Sequence, residues 1–135
     1  MTGASLIGVL MVAAVGNDGA AAPPAYPASY PEVIAVTGVD GRDRALIEAG
    51  KALHLDFAAP GADLLGASAD GGTRKLRGTS FAAPFVAGRL ARLASAGPLP
   101  RARAIAMLET EARTSRSNPR RLYGRGIICG ACATR

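Results

Sequence analysis

Two runs of mostly apolar residues constrain the fold of this chain more than any other part of its sequence. The first covers residues 6–15 and is closed by Gly16 and Asn17, and the second covers residues 33–39. Neither run alternates between apolar and polar residues, so both faces of each strand are expected to be buried. Strands of this kind are typical of parallel sheets that carry helices on both faces. The sequence therefore predicts an α/β fold with a mainly parallel sheet, in which residues 6–15 form a central strand.

Shorter patterns predict further elements. Residues 44–52 are interpreted as an irregular connection, and the alternation of residues 53–57 predicts a short strand followed by a turn at residues 58–61. Asp-Gly-Gly-Thr at residues 70–73 predicts a hairpin turn. Pro100 is expected to open a helix from Arg101 to about Arg113, and residues 115–121 are interpreted as a polar loop.

A helix is predicted directly after the Gly-Thr-Ser sequence at residues 78–80. Residues 81–96 are mostly small or apolar. Apolar side chains recur there at helical spacing, at Val86, Leu90 and Leu93. Thr79 is expected to cap this helix through its side-chain oxygen, with Ser80 in the first turn. Pro84 carries no N–H, so the Ser80 carbonyl would lack its usual helical partner. Unpaired N–H groups and the positive end of the helix dipole suit a serine nucleophile whose attack creates an oxyanion.

Asn17 stands at the carboxyl end of the first apolar run. In open parallel sheets, chemistry gathers beyond the carboxyl ends of the strands. The side-chain amide of Asn17 is a neutral hydrogen-bond donor, which suits the stabilisation of an oxyanion. The alternative is an Asn-Asp-Gly turn that simply ends a strand.

Residues 78–88 read Gly-Thr-Ser-Phe-Ala-Ala-Pro-Phe-Val-Ala-Gly and resemble the nucleophile segment of the subtilisin-like serine peptidases, the subtilases. Residues 12–19 resemble the subtilase segment that supplies the oxyanion-hole asparagine. Tyr-Pro-x-x-Tyr-Pro, Ala-Pro-Gly and Tyr-Gly-x-Gly patterns of the family follow at residues 26–31, 59–61 and 123–126. The likeness covers about residues 8–128 in the family's order. We therefore interpret residues 1–128 as the C-terminal part of a subtilase peptidase domain and residues 129–135 as a tail.

The resemblance implies a three-layer fold, of which this chain is an incomplete C-terminal portion, and a polypeptide substrate. Ser80 would attack the peptide carbonyl, and Asn17 together with the Ser80 N–H would hold the oxyanion. Thr79 would hold Asn17 in position without contacting the substrate. The specificity pocket and the contacts with the substrate backbone would come from Ala14, Val15, Gly16 and Ala25.

The base and the acid of the catalytic triad are not found. Subtilases place them in His-Gly-Thr and near Asp-Ser/Thr-Gly, and neither motif occurs in this sequence. The single histidine, His54, precedes Leu55 and is interpreted as a strand or surface histidine. We therefore expect the chain by itself to be inactive or very weakly active, because a serine hydroxyl needs a base.

The same resemblance predicts that residues 6–15 and 33–39 expose apolar surface and an unpaired sheet edge. A further chain that supplies the N-terminal half would cover them, and the isolated chain is expected to be marginally stable or to associate. The alternative function is a non-catalytic remnant or an interaction module derived from a subtilase.

No cofactor is expected. In some subtilases the loop after the oxyanion asparagine holds a weak cation through backbone carbonyls, and the resemblance gives these positions as Ala28, Tyr30 and Val33. It also implies a cis peptide bond before Pro27.

A net charge of +6 raises the question of nucleic-acid binding. The basic residues are scattered and carry no interleaved aromatic residues, so neither nucleic acid nor membrane is expected as a partner. Residues 6–15 are too short to span a bilayer, and the first residues lack the positive start of a signal peptide. Family resemblance alone implies an extracellular or periplasmic location.

The tail contains the sequence Cys-Gly-Ala-Cys at residues 129–132. A C-x-x-C pair is compatible with a redox site or half of a zinc site. The sequence offers no second cysteine pair and no nearby histidine. A local disulfide, or two thiols without a function, is therefore the preferred interpretation.

Overall fold

A computed structural model describes residues 8–114 and 116–129. Its strands are β1 (Met11–Ala14), β2 (Val33–Val39), β3 (Phe57–Pro60), β4 (Leu64–Ala67) and β5 (Thr73–Leu76). Its α-helices are α1 (Ala83–Ala94), α2 (Arg101–Glu111) and α3 (Arg120–Tyr123). A 3-10 turn over Thr79–Phe81, called the Ser80 turn below, precedes α1.

The parallel sheet confirms the predicted fold class. Its strands lie in the order β1-β2-β3, and both pairs are parallel. Side chains of β2 and β3 pack against α1 and α2 through Ile34, Val36, Phe57, Val86 and Leu108. On the other face, Val15 packs with Ala28 and Ala35. The core of the described chain therefore lies between the sheet and these helices.

The position of the two apolar runs differs from the prediction. Within the described residues, β2 is the central strand, and β1 lies at the edge, with all four residues only half-buried. All seven residues of β2 are buried, so the expectation that residues 33–39 expose apolar surface is wrong. The reason is that β1 and β3 flank β2 on both sides. Residues 6 and 7 of the first run lie outside the described residues.

The two edges of this sheet differ in their hydrogen bonding. Beyond β3, the Ala58 N–H donates to the Gly126 carbonyl (2.9 Å), and the Ile128 N–H donates to the Ala58 carbonyl (2.8 Å). Within residues 8–114 and 116–129, no strand pairs with the outer edge of β1. An apolar groove of about 410 Å³, called the β1 groove, runs beside it. Its apolar lining includes Leu10, Val12, Ala87, Leu90, Ala94 and Leu99. The expected open edge is therefore found at β1.

The third strand does not begin where alternation predicts it. Residues 53–57 alternate, yet only Phe57 is in a strand, and residues 58–60, predicted as a turn, complete that strand. The parallel pairing with β2 starts at Val36 and Phe57, and tertiary pairing therefore overrides the local pattern. The predicted hairpin at residues 70–73 is confirmed by the antiparallel pairing of β4 with β5.

The helix after Ser80 is divided into two parts. The α-helix begins at Ala83, with Pro84 in its first turn, so Ser80 lies in the preceding 3-10 turn. A proline is accepted in a first turn, where its missing N–H has no partner to lose. The next helix starts at Arg101 as predicted and buries Ile105 and Leu108. Part of the polar segment predicted as a loop before residue 122 forms the start of α3.

Two smaller expectations concern covalent features and membranes. The peptide bond between Tyr26 and Pro27 is cis, as predicted. Cys129 is disulfide-bonded, and Cys132, the other cysteine of the sequence, lies outside the described residues. None of the helices described has the length and apolar character needed to cross a bilayer.

Candidate active site

Asn17 reaches the surface at the carboxyl end of β1. The Val15 N–H continues the sheet by donating to the Val36 carbonyl (3.0 Å), and the Val15 side chain is buried. Gly16 then takes a positive φ of 84°, which turns the chain out of the sheet. The Asn17 side chain is exposed. The strand end and the turn therefore present the amide to solvent at the location that the sequence predicts.

Thr79 holds the Asn17 segment and the Ser80 turn together. Its N–H donates to Asn17 Oδ1 (2.9 Å), and its hydroxyl donates to the Gly16 carbonyl (3.1 Å). Thr79 is fully buried. Because the hydroxyl is engaged by Gly16, it does not cap a helix, and the predicted capping role is wrong. Since Oδ1 of Asn17 accepts from Thr79, the Nδ2 group of the same amide remains as a donor toward solvent.

Gly78 brings the Ser80 turn against both neighbouring strand ends. Its φ of 141° lies in a region that side chains rarely adopt, and an added Cβ would stand 3.5 Å from Asn17 Nδ2. Its N–H donates to the Gly61 carbonyl (2.7 Å), one residue beyond β3. The Ser80 turn is therefore fastened to the carboxyl ends of β1 and β3 at once.

Ser80 is exposed and follows directly after Thr79. Its Oγ makes no hydrogen bond with any residue in the described part of the chain. Its N–H lies in the first turn of a helix, where N–H groups have no intrahelical partner. The arrangement thus offers an accessible hydroxyl next to a residue that is bonded to the Asn17 amide. Such a set can attack a carbonyl and donate to the oxygen that becomes charged.

The residues expected to line a specificity pocket are distributed over two environments. Ala14, Gly16 and Ala25 are half-buried, and an added Cβ on Gly16 would stand 3.9 Å from the Ala25 Cβ. Gly16 and Ala25 therefore face each other. The side chain of Val15 instead packs in the core with Ala28, so only its backbone is available to a ligand.

A support loop at residues 48–51, part of a segment predicted only as an irregular connection, forms backbone hydrogen bonds to the residues around this site. The Gly19 N–H donates to the Glu48 carbonyl (2.9 Å), the Gly50 N–H to the Gly16 carbonyl (2.8 Å), and the Ala25 N–H to the Lys51 carbonyl (2.8 Å). These bonds involve backbone groups, so side-chain patterns give no signal for them. A glycine at position 50 is the one hint, because an added Cβ there would clash with the Val15 carbonyl.

An ion pair joins the support loop to the strand that leads into the Ser80 turn. Arg77 donates to both carboxylate oxygens of Glu48, from Nε at 2.6 Å and from Nη2 at 2.9 Å. The hydrogen bond from Arg77 lowers the pKa of Glu48, and the same bond raises the pKa of Arg77. The sequence predicts no role for either residue.

His54 lies at the opposite end of the sheet. Its Nε2 is 2.9 Å from the Val33 carbonyl oxygen and 3.4 Å from Asp56 Oδ2. Val33 is the first residue of β2 and pairs with Met11, the first residue of β1, whereas Asn17 follows the last residue of β1. His54 is half-buried in a bend rather than a strand, and the structure does not bring it to Ser80.

Comparisons with known proteins identify the family of this chain. The sequence matches the model of the subtilase family over residues 2–126. It is 41% identical over 90 residues to the thermophilic serine proteinase of Bacillus sp. (strain AK1), a match covering 67% of this chain and 22% of that protein. It is 43% identical over 93 residues to the major intracellular serine protease of Bacillus subtilis (strain 168), covering 65% and 29%.

The fold is also similar to a solved structure, that of the prenylagaramide maturation protease PagA. The TM-score is 0.79 at 31% sequence identity, and the match covers 93% of this chain and 50% of that chain. The chain thus spans half of that structure and 22% and 29% of the lengths of the two Bacillus relatives. Because the family match extends over nearly the whole sequence and includes the segments around Asn17 and Ser80, this chain belongs to the subtilase family.

Proposed function

We propose that this chain is the nucleophile-bearing part of a serine-type endopeptidase that cleaves polypeptides through an acyl-enzyme on Ser80. The observation that carries the proposal is the pair of Thr79 hydrogen bonds to Asn17 and Gly16. These bonds join the Asn17 segment to the residue directly before Ser80, across 62 and 63 positions of sequence, which supports a site shared by the exposed amide and the exposed hydroxyl. The fold by itself does not require an exposed amide and an exposed hydroxyl at the carboxyl end of β1.

The proposed roles follow from the donors that remain available. Ser80 Oγ attacks the peptide carbonyl, while Asn17 Nδ2 and the Ser80 N–H donate to the oxyanion. Thr79 acts as a positioning residue that directs the Asn17 amide. The backbone of residues 14–16 binds the substrate backbone, and Ala25 bounds the pocket for a substrate side chain.

The base and its orienting acid must come from polypeptide outside the described residues. The only histidine of the chain is held at the far end of the sheet by Val33 and Asp56. Without a base, proton transfer alone is expected to cost about 10²–10⁴-fold in rate. We propose that the N-terminal half of a subtilase domain supplies both groups and docks on β1 and the β1 groove. This occupant is supported by the similar PagA chain, because the present chain covers only 50% of it.

A serine-directed fluorophosphonate probe tests the proposed nucleophile. The source cells should express the wild-type protein, a Ser80→Ala variant and a His54→Ala variant, and the probe should be added to each extract and to the purified 135-residue chain. We expect labelling of the wild type and of His54→Ala in extracts, none of Ser80→Ala, and weak labelling of the purified chain. Equal labelling of Ser80→Ala, or its loss in His54→Ala, contradicts the proposed roles.

Asn17→Ala adds a second measurement of the same site. The rate of labelling should fall because one oxyanion donor is lost, and the unfolding midpoint should also fall because the buried Thr79 N–H loses its acceptor. Asn17→Asp, which keeps an acceptor oxygen but removes the donor, should slow labelling with a smaller change in the midpoint. Loss of this donor in a subtilisin lowers the rate about 10²–10³-fold, which is the reference value for the test. An unchanged labelling rate would remove Asn17 from the proposed oxyanion hole.

The second candidate function is a non-catalytic remnant or interaction module. The open edge of β1 favours it, because an unpaired strand beside an apolar groove can bind another chain without any chemistry. The absence of labelling in every preparation would support this function instead.

The remaining proposals follow family resemblance. The substrate is a polypeptide, and neither nucleic acid nor membrane is a partner. The compartment is extracellular or periplasmic. The disulfide at Cys129 is compatible with such an oxidising compartment.

A further inference from the structure

We propose that Arg101, together with His54, replaces a metal ion at the loop where some subtilases hold a weak cation. The resemblance gives the carbonyls of Ala28, Tyr30 and Val33 as that site. In this chain the guanidinium supplies the positive charge permanently, so the loop needs no metal ion.

The carbonyls themselves are the first test of whether a metal fits. The Val33 carbonyl lies 2.9 Å from His54 Nε2 and accepts a hydrogen bond from Arg101 Nη2 (3.4 Å). The Tyr30 carbonyl accepts from the Val33 N–H (3.0 Å). Hard cations such as Ca²⁺ require six to eight oxygen ligands. A carbonyl oxygen has two lone pairs, and His54 and Arg101 together occupy both at Val33, whereas the Tyr30 carbonyl keeps one. Arg101 is therefore the group that leaves the Val33 carbonyl without a lone pair for a cation. The residues present therefore do not fit a metal ion.

The charge of the surroundings is the second test. The carboxylate of Asp56 lies beside both His54 Nε2 (3.4 Å) and Arg101 Nη2 (3.5 Å) and is only 2% exposed. Its Oδ1 accepts from Arg125 Nη1 (2.8 Å), and its Oδ2 accepts from the Ala35 N–H (2.9 Å) and lies 3.5 Å from Arg101 Nη2. Two guanidinium groups thus share one carboxylate, and a metal ion would bring a third positive group to it. No cluster of three or more acidic, histidine or cysteine side chains suited to a metal occurs in the described parts of the chain.

The position of Arg101 explains what the replacement achieves. Arg101 is the first residue of α2, and its Nη2 reaches the start of β2 through Val33 and the residue before β3 through Asp56. Its Nε is buried without a hydrogen-bond partner, so the attachment depends on Nη2. One side chain therefore joins a helix to two strands at the amino end of the sheet, as a bound cation joins the segments that supply its ligands.

Thermal unfolding of the 135-residue chain tests this inference. The midpoint should be measured after treatment with chelator, and then in CaCl₂ or KCl against choline chloride of equal ionic strength. We expect the wild type to show no cation-specific shift. Arg101→Met should lower the midpoint by about 3 °C or more, because the Val33 carbonyl and Asp56 lose a donor, and Ca²⁺ or K⁺ should recover part of the loss. Arg101→Lys, which keeps a cation, and Arg89→Met, which removes a surface arginine, should remain cation-independent.

Terbium luminescence gives a readout that does not depend on the variants folding equally well. The rings of Tyr26 and Tyr30 lie 4.8 Å apart in the same loop and would sensitise Tb³⁺ bound there. The wild type should show no tyrosine-sensitised emission that Ca²⁺ displaces, whereas Arg101→Met should gain it. Displaceable emission or a cation-specific rise in midpoint of the wild type overturns the inference, as does a folded Arg101→Met variant that gains neither.

Discussion

The two ends of the parallel sheet carry polar groups in opposite states. At the carboxyl end, Asn17 and Ser80 are exposed, and donors of both remain available to a ligand. At the amino end, Asp56 is buried, and both of its oxygens accept hydrogen bonds. The same sheet therefore leaves hydrogen-bonding groups available at its carboxyl end and satisfies them within the fold at its amino end.

The difference has a physical cause. A group that stabilises a developing charge must have a donor that is unsatisfied until the reaction proceeds. A buried carboxylate, in contrast, is tolerated only when its partners are complete. Substitutions at the carboxyl end should thus change reactivity more than stability, and substitutions at the amino end should do the reverse.

The largest expected effect on stability is at Asp56. Asp56→Asn removes the charge that Arg125 and Arg101 share, and the new amide group meets N–H donors. We expect a loss of about 3 kcal/mol in the free energy of unfolding, at the lower end for buried pairs because these arginines are 23% and 30% exposed. Urea denaturation measures this loss of stability. Asp18→Asn, the same change at the exposed carboxyl end, should alter stability by less than about 0.5 kcal/mol. Equal losses would remove the contrast between the two ends.

A smaller effect is expected from glycine substitutions near the site. Gly78→Ala forces a side chain onto a φ of 141° and against Asn17, which should cost about 1–3 kcal/mol and slow probe labelling. Gly88→Ala is the matched control, since an added Cβ in α1 meets nothing within 4 Å. It should stabilise the chain by about 0.5–1 kcal/mol. If Gly78→Ala were as stable and reactive as the wild type, the strained turn would have no role in positioning Asn17.

The smallest expected effect is the pH dependence of the Arg77–Glu48 pair. The hydrogen bond from Arg77 holds the pKa of Glu48 below its ordinary value of 4.5. A lowered folded-state pKa means that the pair stabilises the fold above pH 4.5 and loses this contribution as the pH falls through the folded-state value. The stability difference between the wild type and Glu48→Gln should therefore be small at pH 7 and vanish in acid.

The control for this measurement is Glu32→Gln. Glu32 has no ion-pair partner within the described residues, so its substitution should leave the acid dependence of stability unchanged. A difference for Glu48→Gln that grows as the pH falls below 4.5 would contradict the assigned direction of the pKa shift.

Local patterns predicted the elements whose formation depends on neighbouring residues. Residues 33–39 were predicted as a strand with the bounds of β2, and the Gly-rich turn at residues 70–73 was predicted as a hairpin. The start of α2 at Arg101 followed from the preceding proline. Local patterns failed at residues 53–60, where alternation predicts a strand over residues 53–57. Leu53 is exposed, Asp56 is buried, and the strand begins only where pairing with β2 begins, at Phe57.

The candidate site was predicted only in part. Ser80 and Asn17 carry recognisable motifs, so their location at the carboxyl end of β1 could be anticipated. The hydroxyl of Thr79 was expected to cap a helix, and the backbone bonds of the support loop left no trace in the sequence.

By itself, the sequence determined the class of fold, the buried strand β2 and the choice of Ser80 and Asn17 as the groups proposed to react, because apolar periodicity and short motifs are properties of adjacent residues. Only the tertiary structure decided that Thr79 bonds Gly16, that His54 and Arg101 meet at Val33, and that the sheet is closed beyond β3 and open beyond β1. Each of these contacts joins groups more than 20 positions apart, where the geometry of the whole chain selects the partner.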